Sequence, residues 1–417
     1  MTQHTLTMIL AGGRVDELNV LTYYRPKSAV PFGGLARVID FPLSNLMHSG
    51  IERVAILSQY RGYSLINHIG IGTAWDMVGR HRGISILPPF KGFGHSNWYL
   101  GSADAVYQNL DFIKYHKPKE VMVISGDHIY KMDYRPFVAY HRYKKADLTI
   151  ICLEVPMESA HRFGVAMIDE EDGETGGRVI KYVEKPAKPK FNWASLTVYC
   201  FDPQVLYEQL EINAREDDTY EFGRNIIPRM LYERRNIYGY KFRGYWGYAR
   251  TIEEYWQTNM DLLGRNPKID LKAWQLRTNL ENGGIRDCQP ARIGPQARIT
   301  DSLIYNGCNI DGTVEHSVLF PDVTVKKGAR VRDSILFSNT VVEPDARLNK
   351  VISDVDVLIG QGAVIGEETP LAEREASVIG SNNQIPQGLR IGSGCVLYPH
   401  LGAEKLSREI TSWEVVR

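Results

Sequence analysis

The chain has 417 residues, of which 49 are Lys or Arg and 49 are Asp or Glu, so its formal net charge is zero. That length is too great for one ordinary core and fits two or three domains at about 150 residues each. The missing excess of positive charge argues against a nucleic-acid or anionic-membrane partner, and 43% hydrophobic with 24% charged residues is the composition of a packed protein.

From residue 7 to about 265, short apolar runs alternate with helix-length amphipathic stretches. Strands are predicted over 7–10, 53–57, 84–87, 121–125, 148–155 and 198–201, and helices over 38–49, 63–68, 103–116 and 135–144. Buried strands separated by helices predict an α/β layer fold, Rossmann-like, with a mixed, mostly parallel sheet. In such sheets ligands bind beyond the carboxyl ends of the strands. The longest apolar run, 148–155, is interrupted by Glu154 and falls far short of the roughly 20 residues that cross a bilayer. With no secretory signal pattern at the N-terminus, the chain is expected in the cytoplasm. Cys152, Cys200, Cys288, Cys308 and Cys395 are odd in number and show no C-x-x-C spacing, so reduced packing roles are expected in place of a disulfide framework or zinc site.

After about residue 287 the rhythm changes. Ile293 and Ile299, Val325 and Val331, Ile359 and Ile365, then Ile385, Ile391 and Leu397 recur every six residues, with turn residues between them. Aliphatic residues repeating every six positions mark a parallel β-helix, in which three hexapeptides make one coil and each coil stacks on the next. Roughly six coils of about 18 residues are expected, with a charged insertion over 367–376. The alternative, an antiparallel sandwich, requires a two-residue alternation that is less evident here. The organisation read from the sequence is therefore residues 1–265, a linker over 266–289, and a β-helix over 290–417.

Leu10-Ala11-Gly12-Gly13 follows the first strand directly, where glycines let backbone N–H groups approach an anion. Downstream lie Arg25-Pro26-Lys27-Ser28, Phe32-Gly33-Gly34, Arg37-Val38-Ile39-Asp40-Phe41, Asn97-Trp98-Tyr99, Gly101-Ser102-Ala103-Asp104, Gly126-Asp127-His128, Phe163-Gly164-Val165, Glu184-Lys185-Pro186 and Glu254-Tyr255-Trp256. Taken in this order, the segments resemble the bacterial ADP-glucose pyrophosphorylases (glucose-1-phosphate adenylyltransferases), a family of sugar-phosphate nucleotidyltransferases that also carries a C-terminal left-handed β-helix.

The resemblance implies the reaction of ATP with glucose 1-phosphate to give ADP-glucose and pyrophosphate in storage-glucan synthesis, with Mg²⁺ as cofactor and a homotetramer, or a heterotetramer with a paralogue, as the assembly. It makes Lys27 and Asp127 the catalytic pair, with Asp127 also the metal ligand. Leu10, Ala11, Gly12, Gly13, Gln59, Gly101 and Asp104 are implied for the nucleotide, and Tyr99, Gly164, Glu184, Lys185 and Ser195 for the sugar phosphate.

Three places depart from the family pattern. The loop G-G-x-G-x-R-L reads Gly12-Gly13-Arg14-Val15-Asp16-Glu17-Leu18 here, which puts an acid where the family has a phosphate-neutralising Arg. The segment W-R-D-V-G-T reads Trp246-Gly247-Tyr248-Ala249-Arg250-Thr251, with Tyr248 in place of the second metal carboxylate. A strand reading M-G-I-Y has become Leu196-Thr197-Val198-Tyr199. In addition, Tyr24 stands at the position of the lysine that binds a sugar-bisphosphate activator in related enzymes, while the adjacent Arg25 is kept. Weakened catalysis is the first reading. A second is an impaired subunit that binds nucleotide or sugar phosphate and modulates an active paralogue. In a third, the β-helix acts as an acyltransferase or assembly module, with His316 and His400 as candidate bases.

Overall fold

A computed structural model describes residues 4–13, 15–80, 82–90, 98–169, 171–216, 219–281, 287–366 and 375–417. Arg14, Asn97 and most of the expected insertion, 367–374, lie outside them. The chain forms two compact units, and neither is one continuous stretch. The first comprises Met1–Gly13, Phe41–Gly62 and Ile69–Trp246; the second comprises Arg14–Asp40, Tyr63–His68 and Gly247–Arg417.

The first unit is built on a nine-stranded sheet. Its spatial order is Gly83–Leu87, Arg53–Leu57, Thr5–Leu10, Glu120–Ser125, Trp193–Phe201, Leu148–Glu154, Ile237–Lys241, Gly176–Glu184 and Gly164–Ile168. The first four strands run parallel. Arg53–Leu57 and Glu120–Ser125 are apolar without alternation in their interiors, and Leu6, Met8 and Ile9, Val54 to Leu57, and Val121 to Ile124 are all buried, as expected where helices cover both faces. Trp193–Phe201 then runs antiparallel to both of its neighbours, Glu120–Ser125 and Leu148–Glu154, so the sheet is mixed. The chain leaves the first strand toward 53–57 and returns on its other side at 120–125. That reversal lies beside the ends of Thr5–Leu10 and Glu120–Ser125, where Leu10 is paired with Ser125. A crevice at such a reversal is where this class of sheet takes its ligand.

The predicted helix over 103–116 is two helices, Ser102–Tyr107 and Leu110–His116. The break falls at Asn109, which is not in helical conformation (φ −112°, ψ 21°) and whose side-chain amide donates to the Ala105 carbonyl at 2.8 Å. Three strands (Gly164–Ile168, Gly176–Glu184 and Ile237–Lys241) and the helix Pro203–Glu216 go beyond the predicted elements.

The second unit contains the parallel β-helix, whose three sheets have six, six and seven strands. Identical positions stack from coil to coil: Ile310, Val325, Val342, Ile359 and Ile385 form one column, and Val314, Val331, Leu348, Ile365 and Ile391 another. All ten are buried. Each contributes roughly 1.5–3 kcal/mol by the ordinary measure of aliphatic burial. Ile293 and Ile299 are 53% and 36% exposed, because they belong to the first coil and stack on one neighbour only. The insertion is visible in the register. Ile335 pairs with Ile352, 17 residues on, whereas Ile352 pairs with Val378, 26 residues on. Cys152, Cys200, Cys308 and Cys395 are buried free thiols, and Cys288 is partly exposed.

Segments from near the N-terminus also belong to this second unit. Arg25 makes a two-pronged ion pair with Asp354, its Nη1 and Nη2 each 2.9 Å from Oδ1, and Asp354 is 1% exposed. The Tyr305 hydroxyl donates to the Gly33 carbonyl at 2.6 Å.

One buried histidine gives the first unit a measurable acid sensitivity. His141 is hydrogen-bonded to Thr149 Oγ1 at 2.8 Å, and burial pushes its imidazole from 6.5 down to about 4. Between those values the unfolded chain takes up a proton that the folded chain refuses, so stability is lost as pH falls from about 6.5 to about 4. At 1.36 kcal/mol per unit the loss is of order 3 kcal/mol. Denaturant unfolding of His141→Gln is expected to flatten the pH dependence in that window. An unchanged slope would assign the acid sensitivity elsewhere.

Candidate active site

The loop after the first strand is fixed by its neighbours. The Ala11 amide donates to the Leu57 carbonyl at 3.0 Å, the Tyr60 amide to the Gly12 carbonyl at 3.1 Å, and the Gly126 amide to the Leu10 carbonyl at 2.9 Å. A side chain on Gly12 would press against the Gln59 backbone nitrogen at 3.0 Å, whereas one on Gly13 would meet nothing within 4 Å. Gly12 is therefore required by close approach. Asp127 emerges two residues beyond Glu120–Ser125. Its Oδ1 accepts from Ser125 Oγ and lies 3.5 Å from His128 Nε2, and a quarter of its side chain faces solvent. The His128 ring packs edge-on against Trp246.

Gln59 and Tyr99 form a clamp. The Tyr99 amide donates to Gln59 Oε1 at 2.5 Å, and Gln59 Nε2 reaches back to the Tyr99 carbonyl at 3.4 Å. The Tyr99 hydroxyl donates to the Leu87 carbonyl and accepts from Asn109 Nδ2, each at 3.0 Å. Burial raises this phenol above its ordinary pKa and keeps it a donor. Asp104 Oδ2 accepts from the Leu100 amide and from Gln108 Nε2, both at 2.8 Å, so it orders the turn that leads into Ser102–Tyr107. Gly101 lies against the Tyr220 carbonyl, which any side chain there would strike. These four residues are tied into the surrounding backbone.

Among the residues expected at the sugar phosphate, Lys185 directly follows Gly176–Glu184. Its backbone is left-handed (φ 44°), an uncommon conformation for a non-glycine residue, and its amide donates to the Phe163 carbonyl at 3.0 Å. The side chain is exposed. Backbone strain of this kind costs about 1–3 kcal/mol and persists where the surroundings impose it. Glu184 Oε2 accepts from the buried Tyr182 hydroxyl at 2.9 Å. A side chain on either Gly164 or Gly223 would collide with this carboxylate. Gly223, on the π-helical turn Phe222–Ile226, is not among the sequence-predicted site residues; it lies against the Glu184 carboxylate, far away in the chain. Ser195 Oγ receives the Thr197 amide at 3.4 Å, at an irregularity in the strand register between Ser195 and Tyr199. Thr197 has φ 51°, a conformation glycine takes without cost.

The second unit holds the other departures. Val15 is extended (φ −120°, ψ 107°), so its branched side chain meets no positive-φ requirement. Lys27 opens the short turn Lys27–Ala29 after Pro26 and is 2% exposed. Its ammonium donates to the Tyr248 carbonyl at 2.6 Å and lies 4.8 Å from the centre of the Tyr248 ring. Arg250 pairs with Glu17 at 3.1 Å and donates from Nη1 to the Tyr248 hydroxyl at 3.2 Å. Thr251 and Glu254 form a reciprocal capping box on the helix Ile252–Met260. Tyr24 packs edge-on against Tyr23 and His400. His316 is paired with Asp333 at 2.7 Å, which is a ladder contact between successive coils.

Comparison with known proteins divides the chain along the sequence, unlike the two spatial units. The nucleotidyl transferase family matches residues 6–265, and the GlmU-like C-terminal hexapeptide family matches residues 290–382. The glucose-1-phosphate adenylyltransferase of Acetivibrio thermocellus is 39% identical over 96% of this chain and 94% of its own. That of Desulfitobacterium hafniense is 40% identical over 93% and 96%, and that of Geobacillus stearothermophilus 43% over 80% and 84%. The chain belongs to the glucose-1-phosphate adenylyltransferase family.

Against that family pattern, positions 17, 248 and 250 depart together, and the structure brings all three into one hydrogen-bonded group with Lys27. The family typically works with a divalent metal ion. Among the described residues no group of three or more His, Cys, Asp or Glu side chains converges to hold one. At the end of Glu120–Ser125, Asp127 offers one carboxylate. One carboxylate suits a cation that arrives with substrate phosphates, not one caged by the protein. No helix among the described residues is long and apolar enough to cross a membrane.

Thr197 supplies a test of this geometry. Thr→Gly in a regular strand destabilises, but here it removes a strain of about 1–3 kcal/mol against a Gly entropy cost of about 0.5–1 kcal/mol. Thr197→Gly is expected to leave the melting temperature unchanged or raise it, and a drop of several degrees would refute the strained assignment.

Proposed function

We propose that this chain is a glucose-1-phosphate adenylyltransferase with weakened turnover, using ATP and glucose 1-phosphate and yielding ADP-glucose and pyrophosphate for storage-glucan synthesis in the cytoplasm. On this reading residues 1–265 carry the chemistry, 266–289 link, and 290–417 assemble the chain into a tetramer, with itself or with a paralogue. The observation that carries the reading is the sugar side of the sheet unit. Lys185 is exposed on strained backbone, and the Glu184 carboxylate is seated between two glycines and oriented by the Tyr182 hydroxyl. An exposed ammonium suits a sugar phosphate, and a fixed carboxylate accepts from sugar hydroxyls.

In the reaction, a phosphate oxygen of glucose 1-phosphate forms a bond to the α-phosphorus of ATP as the bond to the bridging oxygen breaks, and pyrophosphate leaves with the electron pair. The protein contributes positioning and charge stabilisation. Lys185 holds the nucleophile's phosphate, Gly12 and Gly13 present main chain to the nucleotide, and Lys27 neutralises developing negative charge. Asp127 would hold Mg²⁺ together with the phosphates; when bound, the ion supplies further neutralisation of the leaving group.

The weakening follows from the second unit. Lys27 already donates to Tyr248, and an acid, Glu17, occupies the arginine position. Removing one stabilising donor commonly costs 10²–10³-fold in rate. The same Lys27 contact supports the second reading, an impaired subunit that binds ligand and modulates an active paralogue. Pyrophosphate release from ATP, glucose 1-phosphate and Mg²⁺ decides between them. Slow release, about 10²–10³-fold below a family member with an intact loop, is expected; ligand binding with no release selects the impaired subunit. Lys185→Ala is expected to raise KM for glucose 1-phosphate about tenfold or more with a smaller effect on KM for ATP. Equal effects on both substrates would remove Lys185 from the sugar-phosphate role.

A further inference from the structure

Arg250 is oriented through both its main chain and its side chain. Its amide donates to Glu254 Oε2 at 3.0 Å, inside the capping box of Ile252–Met260, and the preceding Ala249 is left-handed (φ 41°). Its guanidinium is aimed by two groups: Nε donates to Glu17 Oε1 at 3.1 Å, with Nη2 equally close to the same oxygen, and Nη1 donates to the Tyr248 hydroxyl at 3.2 Å. Tyr248 is also the residue whose carbonyl and ring receive Lys27. Two cations, Arg250 and Lys27, are thus organised around one tyrosine.

The charges at these positions have been exchanged and one has been lost. The pattern that this chain resembles has Arg at 17 and 247, Asp at 248 and Gly at 250. Here Glu17, Gly247, Tyr248 and Arg250 stand there, so an acid has moved from 248 to 17 and a cation from 247 to 250. The contacts given above engage three of the five N–H groups of the Arg250 guanidinium, which presents a fork suited to phosphate oxygens. The Glu17 and Arg250 side chains are 47% and 36% exposed. A pair that open is weak, and a polyphosphate, with several charges and many acceptor oxygens, outcompetes a single half-solvated carboxylate for the fork.

We propose that Arg250 is the residue that neutralises the nucleotide polyphosphate in this chain, with Glu17 a positioning residue that holds the guanidinium ready until phosphate displaces it. This rests on the adenylyltransferase reading, and it reverses the expectation at position 17. If the loop had merely lost a cation, restoring Arg there would improve nucleotide binding. If Arg250 has taken over the task, Glu17→Arg sets two cations against each other and removes the group that aims the second.

The test is calorimetric binding of ATP and of adenosine, with Mg²⁺, to the full-length chain, alongside pyrophosphate release. Arg250→Ala is expected to weaken ATP about tenfold or more and to leave adenosine unchanged, because the nucleoside has no phosphate to lose. Arg250→Lys should recover part of the ATP affinity, which separates loss of charge from loss of fold. Glu17→Gln, with the competing carboxylate gone, should tighten ATP a few-fold, and Glu17→Arg should weaken it. ATP binding by Arg250→Ala equal to that of the parent, or tighter binding and faster turnover in Glu17→Arg, overturns the inference while leaving the functional reading intact. A parent chain that neither binds ATP nor releases pyrophosphate overturns both.

Discussion

Parallel pairing of Thr5–Leu10 with Glu120–Ser125, residue against residue from Thr5 and Glu120 to Leu10 and Ser125, constrains everything else in the sheet-bearing unit. Parallel strands end on the same edge, and here the chain leaves Thr5–Leu10 toward 53–57 and comes back on its other side at 120–125. The glycine turn and the Asp127 turn must therefore emerge side by side. The hydrogen bond from the Gly126 amide to the Leu10 carbonyl extends that pairing into the turns. The placement of Gly12 and Asp127 depends on a register fixed by buried aliphatic residues.

Residues around that edge divide into those that face outward and those that are tied into the surrounding backbone. Gln59, Tyr99, Gly101 and Asp104 direct their polar atoms or their lack of a side chain at neighbouring backbone. Lys185 and the carboxylate of Asp127 remain accessible.

The legible parts of the fold were those with a one-dimensional signature. The strands at 53–57 and 121–125 are apolar at nearly every position because both faces are buried, and the β-helix repeats every six residues because each coil must stack on the last. Gly176–Glu184, with Arg178, Lys181 and Glu184 interspersed, and Ile237–Lys241, with Gly239 at its centre, carry mixed patterns that resemble loops until their partners are known. The site shows the same division. Asp127 and Lys185 follow strand ends and stand in recognisable motifs. Gly223 lies against the carboxylate of Glu184, and the link between Glu17 and Arg250 joins residues 233 apart in the chain; neither leaves a local trace in the order of residues.

The second unit includes Arg14–Asp40 together with the β-helix, although the family match places the boundary near residue 290. Its tie is a nearly inaccessible carboxylate, Asp354, whose cation Arg25 comes from the opposite end of the gene. Recombination between relatives at the apparent seam would exchange the coil that bears the acid while leaving its base behind, and a desolvated charge without its counterion costs several kcal/mol. Shuffled chimeras of such proteins should therefore exchange the early segment and the terminal coils as one heritable block.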